Sequence, residues 1–204
     1  MLHQWLGDDD FGRMMLSYLA YDRPKAASIR WFGDRMSDFL EQISKDPPFA
    51  FHAEVARFEW ALRHTVDAAD AERYTFDALQ TQTSNEWLGL ELNLDPSVTL
   101  LEMKWNAIPW VQAALKGAPL PTPQRQPSRW VIYRDRDGSA AWRSLDGLEW
   151  MSLNPLQSRI TFQDLLASLV VASVRPEEAA ASAAEYLRLW VEEGLLVSVP
   201  NPAH

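Results

Sequence analysis

The spacing of apolar residues changes along this 204-residue chain, and each change predicts a different element. Between residues 11 and 22, Phe11, Met14, Met15, Tyr18 and Leu19 recur at steps of three and four, the period of an amphipathic helix. Residues 28–43 continue it with Ile29, Phe32, Met36, Phe39, Leu40 and Ile43. Residues 51–66 place Val55, Phe58, Leu62 and Thr65 on one stripe. A further helix is expected over 97–115, with Asp95 as its cap, Pro96 at its first position and Pro109 kinking it or ending it early. One stretch breaks the pattern. Leu88, Leu90, Leu92 and Leu94 alternate with Gly89, Glu91 and Asn93, which is strand period. A strand needs a hydrogen-bonding partner, and residues 1–87 offer no obvious one, so the partner belongs to the C-terminal part or to another protein.

Residues 116–128 form the one clear composition break, with prolines at 119, 121, 123 and 127 that favour an extended chain. The run reads as a linker (117–128) between a helical domain (1–116) and a smaller module (129–204). In that module, 129–135 and 139–146 predict a hairpin whose turn chemistry comes from Asp137-Gly138. A short helix then stops near Pro155. Thr161 or Ser158 opens another helix, with Phe162, Leu165, Leu166 and Leu169 on one face. Residues 176–194 are the strongest helix, with Pro176 at its start, Glu177 and Glu178 near the positive end of its dipole and Gly194 at its close. Residues 195–200 read as a last strand. The order β-β-α-α-α-β outlines a small winged-helix-like module, so the fold class is α+β: a helical N-terminal domain followed by a peptide-recognition type of module.

Composition narrows the function. The formal charge is −9, whereas a duplex binder gains affinity largely by neutralising phosphates with a basic face. No apolar run approaches the roughly 20 residues that span a bilayer. The opening residues lack the cationic start and long apolar stretch of a signal peptide. Cysteine is absent, which excludes disulfides, thiolate metal sites and a cysteine nucleophile. A soluble, cytoplasmic protein is expected, with no nucleic acid and no membrane as partner.

Candidate chemistry is sparse. Asp135 and Asp137 suggest half a calcium loop, but Gly138, Ser139, two alanines and Trp142 follow where oxygen ligands and a distal glutamate are needed. His64, Asp67 and Asp70 share a three-residue spacing, yet the other histidines, at 3, 52 and 204, complete no coordination sphere. Solvated carboxylates at a helix end are the better reading. Glu59-Trp60 reads as a packing pair, and no phosphate loop, nucleophile elbow or HExxH run occurs. The chain is therefore expected to have no catalytic residues, no metal ligands and no cofactor of its own.

A winged helix can instead read DNA, but residues 176–194 carry five glutamates against Arg188. Arginines 125, 129, 134, 136 and 143 make a basic stretch around the hairpin, diluted by Asp135, Asp137 and Asp146. A hairpin beside a helix also offers a strand edge and a groove, to which an extended peptide can add a strand. Ala141, Trp142, Arg143, Ser144 and Leu145 are the candidate edge. Tyr186 and Trp190, one helical turn apart, either line the facing groove or pack in the core. The hairpin arginines would suit an acidic leader peptide.

Arg57, Glu59-Trp60-Ala61-Leu62, Asp70, Pro96-Ser97, Leu100-Leu101, Trp105 and Trp110 together resemble the HvfC/BufC family of partner subunits, whose members often carry a DNA-binding label. The resemblance covers residues 8–115 well and the C-terminal module more loosely. The arginine- and tyrosine-rich helices that open typical members are missing here, which resembles the short form found in methanobactin-type cassettes. The resemblance implies a non-catalytic subunit paired as a heterodimer with a multinuclear non-haem iron oxidative enzyme, which modifies cysteines in a ribosomally made precursor peptide. It implies that the C-terminal module binds the leader peptide and that the iron belongs to the partner. The alternative is a winged-helix transcriptional regulator.

Overall fold

A computed structural model describes residues 2–22, 32–43, 47–172 and 179–198, and shows a mixed α+β chain with helices first and small antiparallel sheets after them. The chain divides into two compact units, each built from two separate stretches: residues 1–63 with 101–128, and residues 64–100 with 129–204. Residues 64–100 group with the C-terminal stretch, and the proline run groups with the N-terminal one.

The first unit contains α1 (Leu2–Tyr21), α2 (Met36–Ile43) and most of α3 (Pro47–Asp67). Gly7, at φ 74° and ψ 171°, breaks α1 into two helical pieces, a backbone state that costs a glycine least. The stripe read along α3 is buried at Val55, Phe58 and Thr65, and so are two polar residues that periodicity did not mark, His52 and Glu54. Glu54 accepts the backbone N–H groups of Lys104 at 2.8 Å and Trp105 at 2.9 Å. Burial pushes its carboxyl up, while these two donors and the nearby Arg57 and Lys104 pull the other way.

Those donors end β2 (Thr99–Trp105), where one long helix was expected. Leu101, Met103 and Trp105 are buried and Glu102 and Lys104 exposed, so strand period decides the segment, and the helix α6 begins only at Ala107–Leu115. Asp95 is not a helix cap. Its carboxylate accepts from Ser97 N at 2.9 Å, Ser97 Oγ at 2.6 Å and Arg73 Nε at 2.8 Å, folding an Asx-type turn in front of β2. Burial alone would raise its pKa, but Arg73 and Ser97 outweigh it and hold Asp95 below the ordinary carboxylate range. The proline run is tied down rather than free. Asn106 Nδ2 donates to Thr122 O, and Asn106 Oδ1 accepts from Gln124 N, both at 2.9 Å.

The second unit holds α4 (Phe76–Gln80), α5 (Ser84–Leu88) and β1 (Glu91–Leu94). The leucine alternation is realised as strand only from Glu91, because residues 84–88 close into a helical turn. Its partners lie in the C-terminal stretch. Leu92 pairs with Ile160 of β5 (Ile160–Thr161), and Leu94 with Leu196 of β6 (Leu196–Val197), giving the sheet β5-β1-β6. A second sheet runs β2-β3-β4, where β3 is Arg125–Arg134 and β4 is Ala140–Leu145. The boundary between the units falls inside β2 and inside β3.

The remaining helices are α7 (Gly147–Leu153), followed by a 3-10 turn over Asn154–Ser158, then α8 (Phe162–Ala172) and α9 (Ala179–Glu193). Thr161 opens α8 as expected: its N–H donates to Asp164 Oδ2, and its Oγ accepts Asp164 N. Pro176, Glu177 and Glu178 lie outside the described residues. Gly194, at φ 75°, ends α9 with two closing bonds, Leu195 N to Trp190 O at 2.8 Å and Gly194 N to Val191 O at 3.1 Å. That pair is a Schellman motif. The core of this unit gathers Leu92, Val131, Leu153, Leu165, Leu187 and Trp190 among others. No helix among the described residues is long and apolar enough to cross a membrane.

Two tests follow. β5 and β6 both pair with β1, so a fragment of residues 129–204 loses the strand they share. Its thermal melt is expected to lack the cooperative transition of the full chain, and a sharp, native-like transition would contradict the division. His52 sits edge-on to Trp5 at 4.1 Å with its Nε2 unpartnered, and burial lowers its pKa below 6.5. A depressed folded pKa gives stability that is present above the unfolded value and lost as pH falls through the folded one. Acidification from about pH 6.5 should therefore lower Tm, and His52→Phe should flatten that slope. An identical slope in the variant assigns the acid loss elsewhere.

Candidate functional site

The hairpin β3–β4 pairs antiparallel, with Val131 opposite Arg143, Ile132 opposite Trp142 and Arg134 opposite Ala140. Its turn is one residue longer than Asp137-Gly138 alone would make it. Asp135 N donates to Ser139 O at 2.9 Å and Gly138 N to Asp135 O at 3.2 Å, so Arg136-Asp137-Gly138 form the loop, with Gly138 at φ 83°. The Asp135 carboxylate accepts the N–H groups of Asp137 and Ser139, which turns this aspartate inward to the loop backbone instead of outward to a cation.

The Asp135–Ser139 bond also sets the phase of the ladder. Hydrogen-bonded pairs alternate in an antiparallel ribbon, so Ala141, Arg143 and Leu145 direct their backbone groups at β3. Trp142 and Ser144 direct theirs away from β3. β4 is the end strand of its sheet, and this second set lies along its outer edge, where Ser144 O accepts Arg143 Nη1 at 3.5 Å.

The candidate residues are placed very differently along that edge. Leu145 is buried in the core, Ala141, Trp142 and Arg143 are half-buried, and Ser144 is exposed. Trp190 does not line a groove. It is fully buried, and its indole N–H donates to Glu149 Oε1 at 2.9 Å. Tyr186 is half-buried and stacks on Trp190, with ring centres 5.6 Å apart and planes 5° from parallel. Of this pair, Tyr186 is the ring that reaches solvent.

Arg143 is the centre of the site. It donates to Glu149 through Nη1 (2.8 Å) and Nη2 (2.6 Å), and to Glu193 through Nε (2.6 Å) and Nη2 (2.8 Å). Burial disfavours its charge, but the two carboxylates outweigh that and hold it protonated more firmly than a free guanidinium. Tyr133 Oη lies 3.3 Å from Glu193 Oε1, and burial together with Glu193 pushes its pKa up to about 12. Glu149 and Glu193 were not singled out in the sequence. The available signal was Asp146-Gly147-Leu148-Glu149, a capping pattern in which Asp146 Oδ1 accepts Glu149 N at 2.8 Å and so fixes where Glu149 starts.

The other hairpin arginines are occupied as well. Arg136 donates to Val191 O and Glu192 O, the last carbonyls of α9, where the helix dipole favours a cation. Arg134 donates to Ala68 O and Ala69 O and pairs with Asp70, and Arg129 lies over the Trp150 ring at 5.6 Å. Arginines 129, 134, 136 and 143 thus have partners within the chain, while the exposed Arg125 lies over the Trp105 ring at 5.5 Å.

His64 and Asp67 lie at the end of α3, with Asp70 just beyond it and almost fully exposed. Among the described residues, no three His, Asp or Glu side chains gather as a metal site would require. No family model matches the chain, and no curated protein sequence matches it either.

Removing Arg143 should expose the cost of its two carboxylates. Glu149 is only 6% exposed and Arg143 26%. Arg143→Met should therefore destabilise the protein by about 3 kcal/mol, the low end of the range for breaking a buried ion pair. Adding Glu149→Gln to that variant should restore part of the loss in urea unfolding. A loss below about 0.5 kcal/mol, the level of ordinary surface substitutions, would mean that Arg143 is not a keystone.

Proposed function

We propose that this chain is a non-catalytic partner subunit that holds a ribosomally made precursor peptide and presents its cysteine to a multinuclear non-haem iron oxidative enzyme. Within that class, the reading assigns it an MbnC-like role in methanobactin-type copper-chelator biosynthesis. The reading rests on the resemblance of residues 8–115 to the HvfC/BufC subunits and on one structural observation. The outer edge of β4, to which the Ser144 N–H points, lies at the end of a sheet whose hairpin is tied to α7 and α9 by Arg143. Main-chain bonds to such an edge supply affinity with little demand on peptide sequence, while a clamped edge loses less entropy on binding.

The hairpin and the three helices that follow it, α7 to α9, are read as a winged-helix-like module on the strength of their order. Iron enters only with the partner enzyme, and no cofactor is assigned to this chain. Enzyme docking falls to the helical first unit, which exposes Leu16, Leu115 and Leu120. The regulator reading is weaker, because the arginines that would meet phosphates are held by Glu149, Glu193, Asp70 and helix-end carbonyls.

Ser144→Pro separates these roles. Its N–H faces the outer edge of β4, so proline removes a donor for the incoming strand without breaking a bond to β3. Affinity capture with the full chain from its native lysate should recover an iron enzyme and a cysteine-containing peptide. Ser144→Pro, checked for an unchanged melting curve, should keep the enzyme and lose the peptide, whereas Ser144→Ala keeps both. Recovery of peptide at the wild-type level on folded Ser144→Pro would remove β4 as the platform, and capture of duplex DNA in place of an iron enzyme would favour the regulator.

A further inference from the structure

Four helices of the second unit, α4, α5, α8 and α9, enclose a cavity of about 500 Å³ that opens to solvent. Leu79 and Leu187, each 3% exposed, form its floor. Phe76, Trp87, Phe162 and Leu166, all half-buried, form its walls, with Trp87 edge-on to Phe162 at 5.6 Å. Short-range bonds hold these walls. Thr75 Oγ1 accepts Ala78 N to start α4, and Thr83 and Glu86 exchange capping bonds at the start of α5. Phe162 N donates to Leu90 O at 2.8 Å, which links α8 to the connection between α5 and β1. On the α9 side, Ala180 and Ala184 are one turn apart and exposed, so their small side chains leave the mouth open. Arg188 is the next residue in that row, and Gln80 of α4 also reaches the cavity. Arg188 engages Glu192 Oε1 through Nη1 at 3.1 Å, an exposed pair of the weak i,i+4 kind. Among the described residues its Nε and Nη2 have no acceptor.

We propose that this cavity binds a small amphipathic carboxylate, whose alkyl or aromatic body fills the space between Trp87, Phe162 and Leu166 while its head meets Arg188 at the mouth. Size and lining are those of a ligand site: apolar and aromatic walls, with a few polar groups on one side to fix orientation. The apolar body covers aromatic and leucine surface that water now touches. A guanidinium with two unengaged N–H directions takes a carboxylate through paired bonds, and the Gln80 amide adds a donor. No acidic side chain lines the cavity, so a cationic ligand finds no counter-charge there. A wholly apolar ligand leaves Arg188 unused. The site is independent of the peptide reading of β4 and stands or falls without it.

The test uses the full chain with anilinonaphthalene sulfonate as a fluorescent reporter, displaced by decanoate or by decanol. Decanoate should displace it at about fivefold lower concentration than decanol, the scale of one exposed charge contact. Arg188→Gln should erase that difference, and Glu192→Gln, which releases Nη1, should widen it. Ala184→Trp, at an exposed position of α9, should fill the mouth and abolish saturable reporter binding with an unchanged melting curve. Ala180→Trp blocks the same mouth and replaces it if the first variant does not fold. Equal displacement by the two competitors, or stronger displacement by decanol, overturns the carboxylate class. Saturable binding that survives in a folded tryptophan variant, or that is missing from the wild-type chain, overturns the cavity as the site.

Discussion

One guanidinium, that of Arg143, holds the C-terminal half of this protein in its working shape. It stands between Glu149 at the start of α7 and Glu193 at the end of α9, so a single side chain ties a strand to two helices. Without it, two poorly solvated carboxylates would be left without their shared counter-charge, which is far costlier than losing a surface ion pair. The indole of Trp190 and the phenol of Tyr133 complete the hydrogen bonding of those carboxylates. The buried rings are therefore placed by the same charges that clamp the hairpin. Arg136 repeats the pattern at lower cost, crowning the Schellman end of α9 with a cation that the exposed carbonyls and helix dipole both favour.

Much of the C-terminal half was legible because its signals are local. A Thr-x-x-Asp capping box opens α8, Gly194 closes α9, and Asp137-Gly138 marks a hairpin even though Asp135 lengthens its loop. The leucines of β1 show strand period, and the partner they require is found in residues 160–161 and 196–197. What stayed hidden depends on residues distant in sequence. Thr99–Trp105 looks helical beside Ala107–Leu115 until Glu54, some 50 residues earlier, is seen to cap Lys104 and Trp105. Asp95 imitates a helix cap before Pro96, and only Arg73 and Ser97 reveal a turn. The same blindness affects the site. Sequence shows five hairpin-region arginines as one basic stretch, because it does not show which carboxylates and carbonyls come to meet them.

The clamp borders the outer edge of β4. A strand edge is a hazard when it is long, flat and apolar, and here it is short, half-buried and bordered by charge. Burying Trp190 beneath Tyr186 leaves one ring at the surface and a rigid wall behind it. Edge and wall depend on the same few residues: Arg143, Glu149, Glu193 and the helix that carries Tyr186 and Trp190.

Residue-resolved amide hydrogen exchange of the full chain, with and without a saturating peptide, examines this edge most directly. In the free protein the amides of Ala141, Arg143 and Leu145 should already be protected by β3, while that of Ser144 exchanges fast. Peptide addition should slow Ser144 by on the order of tenfold or more, as newly made main-chain bonds do, and leave the other three almost unchanged. Exchange at Ser144 that stays fast while a different segment becomes protected would place the peptide elsewhere and contradict β4 as its platform.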